Sequence, residues 1–328
     1  MIWLPKRKNQ ISNTVSQIPE YFVLKNNRSR RSFLQQCATS ALVLTGAQRF
    51  SENAMAIEPI QRNGAPKFKF SLAAYSYRNL LTGNPPELTL YDFIEDCAAM
   101  GLEGTELTSY YFPASPTDDY LRDIKQKCFQ LGLDISGTAI GNDFGFEPGP
   151  ERDQQLAMTK QWIDRAEILG APVIRIFAGK QKRGIEPKKS YALMVEGIEE
   201  CCDYAGQHGV HLALENHGGP TATVEGMLAF INDVKSPWFG VNLDTGNFYT
   251  EDPYLDLAQI APYSLNVQVK VVTTDEAREN KRPTDFRRLA KILRDSNYRG
   301  YVALEYEESD DPREVCPKYL DIVREAFA

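Results

Sequence analysis

Histidine is scarce in this chain, which has three in 328 residues. A centre that binds several zinc ions needs more imidazole ligands, so such a centre is disfavoured. The six cysteines follow no zinc-motif spacing, and Cys201 and Cys202 are adjacent. We therefore expect the five cysteines after Cys37 to be small buried hydrophobic residues. No strand-like segment is followed by a Gly-x-Gly-x-x-Gly loop, which leaves a doubly wound dinucleotide-binding sheet without support.

Positive charge is also limited outside the N-terminal segment. The chain has a formal net charge of −7, and residues 1–56 hold eight Lys and Arg against two Asp and Glu. That segment therefore carries +6, and the rest of the chain carries −13. An acidic body argues against nucleic acid or an anionic membrane as a partner.

The N-terminal segment resembles a twin-arginine export signal. Arg30 and Arg31 precede an uncharged, mildly apolar stretch from Cys37 to Ala47, and Ala54-Met55-Ala56 forms a small-x-small cleavage pattern. The apolar stretch is too short for a stable membrane span. We predict a signal at residues 1–56, a linker at 57–67 and export, to the periplasm for example. A basic tail with an incidental arginine pair is the alternative.

Strand and helix patterns alternate along the rest of the chain, residues 68–328. Such alternation predicts a single-domain α/β protein with a (β/α)8 barrel. Glycines at 101, 132, 170 and 209 each close a helix pattern just before a strand. The predicted strands are 68–74, 103–107, 133–139, 173–177, 210–215, 239–244, 265–268 and 301–305. The predicted helices are 91–100, 120–131, 152–169, 191–208, 223–234, 254–260, 286–295 and 312–327.

The last four strands each end in a side chain that carries a ligand oxygen. These residues are Glu215, Asp244, Gln268 and Glu305. Carboxylates beside an apolar core are costly unless they are paired or bind a cation. In a parallel barrel all strand carboxyl ends open on one face, where active sites lie. The pattern therefore predicts one shared cation, although ion pairs at the barrel rim would also explain single members.

Each of these residues lies in a short motif: Ala-Leu-Glu-Asn-His-Gly-Gly at 213–219, Asn-Leu-Asp-Thr-Gly-Asn at 242–247, Gln-Val-Lys at 268–270 and Ala-Leu-Glu at 303–305. Together these motifs resemble the xylose-isomerase-like superfamily of sugar (phosphate) isomerases and epimerases. The resemblance implies one divalent ion held by Glu215, Asp244, Gln268 and Glu305. This chain departs from the family at Gln268 and Asn247, where His is common. An all-oxygen ligand set favours Mn²⁺ or Mg²⁺ over Zn²⁺ or Co²⁺.

The resemblance also implies roles for individual residues. Glu215 and Glu305 would exchange a proton with the substrate, while His217 and Lys270 would assist as proton donor or oxyanion partner. Glu106, Arg175 and Asn247 are the predicted substrate contacts, although Arg175 could instead orient Glu215 or form a structural ion pair. His211, which alternates with Leu212 in a strand, is expected to be structural, and His208 lies at the end of a predicted helix. Four aromatic residues suit either a wall for a sugar face or the core: Tyr75, Tyr77, Phe112 and Phe248.

The predicted function is a metal-dependent isomerase or epimerase that acts on a carbohydrate or polyol through an enediolate. The same site could instead expel a leaving group β to a carbonyl, as a dehydratase or lyase does on a keto-sugar, keto-glycoside or inosose. A sugar-binding protein without turnover is the third hypothesis. A barrel of the endonuclease IV type is disfavoured because it would need more histidines. The sequence leaves open whether the chain forms a homo-oligomer.

Overall fold

The computed structural model describes residues 57–328, so the predicted signal segment lies outside the described residues and stays a prediction. Eight parallel strands form the barrel: β1 (Lys67–Ala73), β2 (Gly104–Thr108), β3 (Asp134–Ala139), β4 (Val173–Ile176), β5 (His211–Glu215), β6 (Phe239–Asp244), β7 (Ser264–Val269) and β10 (Arg299–Leu304). They close in the order β1-β10-β7-β6-β5-β4-β3-β2. The predicted (β/α)8 barrel is confirmed, and a doubly wound sheet is wrong for this chain.

Helices cover the outside of the barrel between successive strands. Several helices begin at a polar residue whose side chain caps the helix N-terminus. Thr89 is one example: its side chain accepts from the Asp92 backbone N–H, while the Asp92 side chain accepts from the Thr89 backbone N–H. The α-helices are α1 (Arg78–Leu81), α2 (Leu90–Ala99), α3 (Asp118–Gln130), α4 (Pro150–Leu169), α5 (Pro187–Gln207), α6 (Val224–Asp233), α7 (Pro253–Ile260), α8 (Phe286–Asp295) and α9 (Pro312–Phe327).

Left-handed glycines end four helices, as the sequence predicts. Gly101, Gly132, Gly170 and Gly209 have φ values of 64°, 73°, 75° and 67°. Only glycine adopts this conformation without a steric cost, so each position stops its helix and turns the chain back toward the next strand.

The short helix α1 and one further element were not predicted. An antiparallel hairpin follows β7 and consists of β8 (Val272–Thr274) and β9 (Lys281–Pro283). Its strands have three residues each, too short to give a sequence periodicity that separates them from a loop. The hairpin lies in the connection between β7 and α8, on the carboxyl side of the barrel strand that carries Gln268.

The core lies between the barrel and its helices, and within it the five cysteines of the described residues are free and buried, as predicted. Ile60 donates its backbone N–H to the Pro262 carbonyl at 3.0 Å, so the chain before β1 contacts the barrel. None of the helices in residues 57–328 has the length and apolar character needed to cross a membrane.

Candidate active site

A cavity of about 210 Å³ lies at the carboxyl end of the barrel strands. Five of its residues were predicted from sequence as site residues, and two of these, Glu215 and Glu305, stand at the ends of β5 and β10. The parallel barrel brings them together because every strand points its carboxyl end to this face. The cavity is lined by Tyr75, Tyr110, Arg175, Phe177, Glu215, His217, Lys270, Glu305 and Glu307.

Glu215 is held by two of the predicted substrate contacts. Its Oε2 lies 2.9 Å from Nε of Arg175, and its Oε1 accepts a hydrogen bond from Nδ2 of Asn247 at 2.9 Å. The side chain is buried, and burial, outweighing the attraction of Arg175, raises its pKa to about 7. In this structure Arg175 and Asn247 therefore orient a carboxyl group that can gain or lose a proton near neutral pH.

Lys270 lies among three carboxylates. Its Nζ is 2.7 Å from Glu305 Oε2, 2.9 Å from Glu307 Oε1 and 3.1 Å from Asp244 Oδ2. Burial alone would lower the pKa of Lys270, but these carboxylates raise it well above its usual value. Burial would likewise raise the pKa of Glu305, and Lys270 overcomes it, so Glu305 has a lowered pKa and is ionised.

The Asp-Thr-Gly segment after β6 positions Lys270. The backbone N–H of Gly246 donates to Asp244 Oδ1 at 2.8 Å, and the backbone N–H of Lys270 donates to Thr245 Oγ1 at 2.9 Å. A Cβ atom at Gly246 would lie 2.6 Å from Cδ of Lys270, closer than real Cβ contacts. Glycine is required here because the lysine stem passes directly over the backbone.

Asn216 ties β5 to β6 beneath the cavity. Its Oδ1 accepts from the Asp244 backbone N–H at 2.9 Å, and its Nδ2 donates to the Asp244 backbone carbonyl at 2.9 Å. The asparagine of the Glu-Asn-His motif therefore fixes the spacing between Glu215 and Asp244.

Gln268 and Glu106 lie in a buried polar network within the barrel. Nε2 of Gln268 donates to Glu106 Oε1 at 2.5 Å, and Oε1 of Gln268 accepts from Asn242 Nδ2 at 2.6 Å. Asn266 donates to both Glu106, at 2.7 Å, and Asn242, at 2.9 Å. Burial and the nearby Glu305 raise the pKa of Glu106 to about 7. The carbonyl oxygen and the amide nitrogen of the Gln268 side chain are therefore both bonded within this network. Neither Gln268 nor Glu106 lines the cavity.

The site has more buried carboxyl groups than buried cations, an excess that a divalent cation would balance. Four buried carboxyl groups, Glu106, Glu215, Asp244 and Glu305, face two buried cations, Arg175 and Lys270. Full ionisation would leave a charge of −2, and the pKa of Asp244 is raised well above its usual value by burial. Asp244 Oδ2 has no aligned hydrogen-bond donor within residues 57–328. The charge and the all-oxygen donors fit Mg²⁺ or Mn²⁺.

The geometry fits that ion less closely than the charge does. Across residues 57–328, no three His, Cys, Asp or Glu side chains are grouped in a way that could hold a metal ion. Lys270 stands between Asp244 and Glu305, and Gln268 faces Glu106. Three predicted ligands, Glu215, Asp244 and Glu305, therefore surround the same charged centre, whereas the fourth, Gln268, is placed in the network below it.

His217 stands at the mouth of the cavity. Its ring centroid lies 4.5 Å from that of Phe177, and its backbone N–H donates to Thr221 Oγ1 at 3.0 Å. Burial, with Arg175 and Lys270 nearby, lowers the pKa of His217, so its imidazole is neutral at physiological pH. A neutral imidazole can both donate and accept a hydrogen bond.

The aromatic residues divide between cavity and core. Tyr75 lines the cavity, while Tyr77, Phe112 and Phe248 are buried in the core. Sequence reasoning missed three cavity residues, Tyr110, Phe177 and Glu307. Phe177 could have been found from its place just after β4, and Glu307 from its place two residues after Glu305. The remaining histidines have structural contacts, as expected for His211: its ring centroid lies 4.8 Å from that of Trp238, and His208 Nδ1 lies 2.7 Å from Glu167 Oε2.

The family model described as xylose isomerase-like TIM barrel matches residues 94–326, so the chain belongs to this family. A 3-dehydroshikimate dehydratase of Bacillus anthracis is 24% identical over 215 residues, covering 63% of this chain and 72% of the relative. The fold is also that of D-psicose 3-epimerase from Clostridium cellulolyticum H10, with a TM-score of 0.64, 16% identity and 79% and 99% of the two chains covered. A 3-keto-D-glucoside 4-epimerase from E. coli superposes with a TM-score of 0.62 at 17% identity, covering 79% and 100% of the two chains.

Proposed function

We propose that this protein is a divalent-metal-dependent isomerase or epimerase that acts on a keto-sugar through an enediolate. One observation carries the proposal: Glu215 and Glu305, on different strands, line the same small cavity with different charged partners. Names of family relatives that include sugar epimerases support a sugar as the substrate. The proposal extends to the substrate class and the reaction, beyond the family and fold themselves.

The two glutamates suit an acid and a base that exchange roles. Lys270, 2.7 Å from Glu305, keeps that carboxylate ionised and ready to take a proton from the carbon next to a carbonyl. Glu215 has a pKa raised to about 7 by burial, so it can return a proton to the substrate. Environments that push two carboxyl groups apart in pKa are how one site supplies both acid and base.

Removal of that proton leaves negative charge on the substrate oxygen. Lys270 and Arg175 both line the cavity and are cations within hydrogen-bond reach of the two glutamates. Fixed cations in a site with little water stabilise such charge without the cost of reorganising solvent. We propose that neutral His217, which lines the cavity, contacts substrate hydroxyl groups. Asn247 does not line the cavity, and its amide orients Glu215.

We propose that Glu215, Asp244 and Glu305 hold a divalent ion once Lys270 no longer lies between Asp244 and Glu305, because within residues 57–328 these carboxylates are not grouped to bind one in this structure. When bound, such an ion polarises the carbonyl oxygen and makes the neighbouring proton more acidic. Its charge would also balance the excess of buried carboxylates. We favour Mn²⁺ or Mg²⁺ because the donors are oxygen atoms.

Incorporation of solvent deuterium tests the proposal. The protein, supplemented with Mn²⁺ or Mg²⁺, is incubated in D₂O with a panel of ketoses, inososes and 3-keto-glycosides, and products are followed by NMR. We expect deuterium at the carbon next to the carbonyl in a sugar whose skeleton is intact. A panel in which no sugar gains deuterium or changes would contradict the proposed function. Unchanged sugars that still bind would favour the third hypothesis, a sugar-binding protein without turnover.

Elimination is the second candidate, and the similarity to a 3-dehydroshikimate dehydratase favours it. After the same proton removal, the enediolate can form a carbon–carbon double bond and lose a hydroxyl or an aglycone β to the carbonyl. In that case the carbon is not reprotonated. Loss of water or of the aglycone in the NMR experiment would identify this reaction.

We also propose that the chain is exported through the twin-arginine pathway, as its N-terminal motif predicts. Outside the cytoplasm free sugars and glycosides are available, whereas sugar phosphates are intracellular. Export would therefore favour a substrate without phosphate, in keeping with the acidic charge of residues 57–328.

A further inference from the structure

A second, larger cavity adjoins the catalytic one. Its volume is about 410 Å³, roughly twice the 210 Å³ of the cavity that holds the two glutamates. The two cavities share Phe177 and His217 as lining residues. The wall opposite Phe177 is formed by the Gly-rich loop after β5, which includes Gly218, Gly219 and Thr221.

Phe177, which lines both cavities, is held in place by several contacts. The Phe177 ring has the Arg175 guanidinium 4.1 Å from its centroid and the His217 ring 4.5 Å from it. Both amide atoms of Asn142 are bonded to the Phe177 backbone, at 2.7 Å to its carbonyl and 2.9 Å from its N–H. Phe177 is thus held by its backbone and by its ring, at the place where the two cavities meet.

Among the polar residues that line the larger cavity, Asn142 and Asp143 use their side chains within the protein, and Lys180 is the charged residue without an ion pair in the described part of the chain. The Asp143 carboxylate pairs with Lys182 and accepts the backbone N–H groups of Gly145, at 2.9 Å, and Lys180, at 3.1 Å. Both side-chain amide atoms of Asn142 are hydrogen-bonded to the Phe177 backbone. The surface that remains for a ligand is largely phenyl ring, alanine and glycine backbone, which suits a flat and weakly polar group.

From these two cavities we infer that the substrate is a glycoside whose ring-sized, weakly polar aglycone occupies the larger cavity while the reacting sugar occupies the smaller one. The inference rests on the proposed function for the role of the smaller cavity. A volume of about 210 Å³ is below the roughly 300–1,000 Å³ of most small-molecule sites, whereas the two cavities together fall within that range. A free monosaccharide would leave the larger cavity without a ligand group.

Binding of two simple glucosides tests the inference separately from turnover. Methyl and 4-nitrophenyl β-D-glucopyranoside lack a carbonyl, so neither can be enolised, and they differ only in the aglycone. Calorimetry on the Mn²⁺-supplemented protein should give a Kd for the 4-nitrophenyl glucoside at least about tenfold below that of the methyl glucoside. Equal affinities, or no measurable binding of either, would overturn the inference.

Substitutions in the Gly-rich loop localise the effect. Gly218 has φ 75° and an added Cβ would meet no atom within 4 Å, so Gly218→Asn fits the backbone and narrows the cavity. We expect the aryl advantage, defined as the Kd of the methyl glucoside divided by that of the 4-nitrophenyl glucoside, to fall below about threefold. Gly219→Asn, where φ is 54°, is a second variant in case the first does not fold.

Gly132→Asn is the matched control, because Gly132 has φ 73°, an equally open Cβ position and a place at the end of α3. It should keep the full advantage, and loss of the advantage in this control alone would contradict the assignment. An intact aryl preference in a protein that never exchanges deuterium into ketoses would instead mean that the proposed function fails.

Discussion

Lys270 and Glu305 form a buried ion pair, with Nζ 2.7 Å from Oε2, and both line the cavity at the carboxyl end of the barrel strands. The pair keeps Glu305 ionised in a place where burial alone would favour its neutral form. Asp244 and Glu307 also lie within 3.1 Å of the same ammonium, so Lys270 contacts three carboxylates at once.

Gly246→Ala should lower kcat by at least about tenfold while the barrel stays folded. The added Cβ would lie 2.6 Å from Cδ of Lys270, so the lysine stem must move away from Glu305. A displacement of about 1 Å at a catalytic group costs on the order of 100-fold in rate. Steady-state kinetics with circular dichroism checks this, and an unchanged kcat would show that the position of Lys270 does not matter.

Glu305→Gln should lose most of the bound Mn²⁺ and nearly all turnover. The substitution removes one of three proposed carboxylate ligands and keeps the size of the side chain. Glu307→Gln is the matched control, because Glu307 contacts the same lysine but is 37% exposed and is no proposed ligand. Metal analysis of the purified proteins decides this, and equal stoichiometry and affinity in both variants would refute the ligand assignment.

Gln268→His should destabilise the protein without changing its order of metal preference. The amide of Gln268 is bonded to Glu106 and Asn242, and loss of a partner for a buried polar group costs about 1–3 kcal/mol. Urea unfolding measures the loss. Titrations with Mg²⁺, Mn²⁺ and Zn²⁺ measure the preference, and a shift toward Zn²⁺ would mean that Gln268 binds the ion directly.

His211→Phe should make stability less sensitive to acid. Burial lowers the pKa of His211 below 6.5, so the unfolded chain binds a proton more readily than the folded one. The wild type therefore loses stability as pH falls from about 6.5 toward the lower pKa of the folded state. Above about pH 6.5 His211 is neutral in both states and has no such effect. Phe keeps an aromatic ring in contact with Trp238. Urea unfolding at pH 7.5 and 5.5 compares the two proteins, and parallel pH profiles would contradict the prediction.

Replacing Arg30 and Arg31 with Lys should keep the precursor in the cytoplasm. Lysine retains the charge of the segment, so only recognition of the arginine pair changes. Cell fractionation with antibody detection compares the two proteins. A wild-type protein that is found uncleaved in the cytoplasm would show that residues 1–56 are not an export signal.

The sequence by itself determined the barrel and the positions of its strand-end carboxylates. Both follow from local patterns: apolar strands alternating with amphipathic helices, and left-handed glycines such as Gly132 that end the helices. Glu215, Asp244 and Glu305 could be placed on one face because parallel strands in a barrel share a direction. Their roles came from the family motifs, which are also contiguous in sequence.

Only the tertiary structure decided what each of these side chains contacts. Gln268 has the sequence position of a ligand, yet its partner Glu106 is 162 residues away and draws the amide into the barrel. Lys270 reaches Glu305 across 35 residues, and the second cavity arises where two loops face Phe177. Such pairings depend on barrel closure and register, which set distances between strands that no local periodicity encodes.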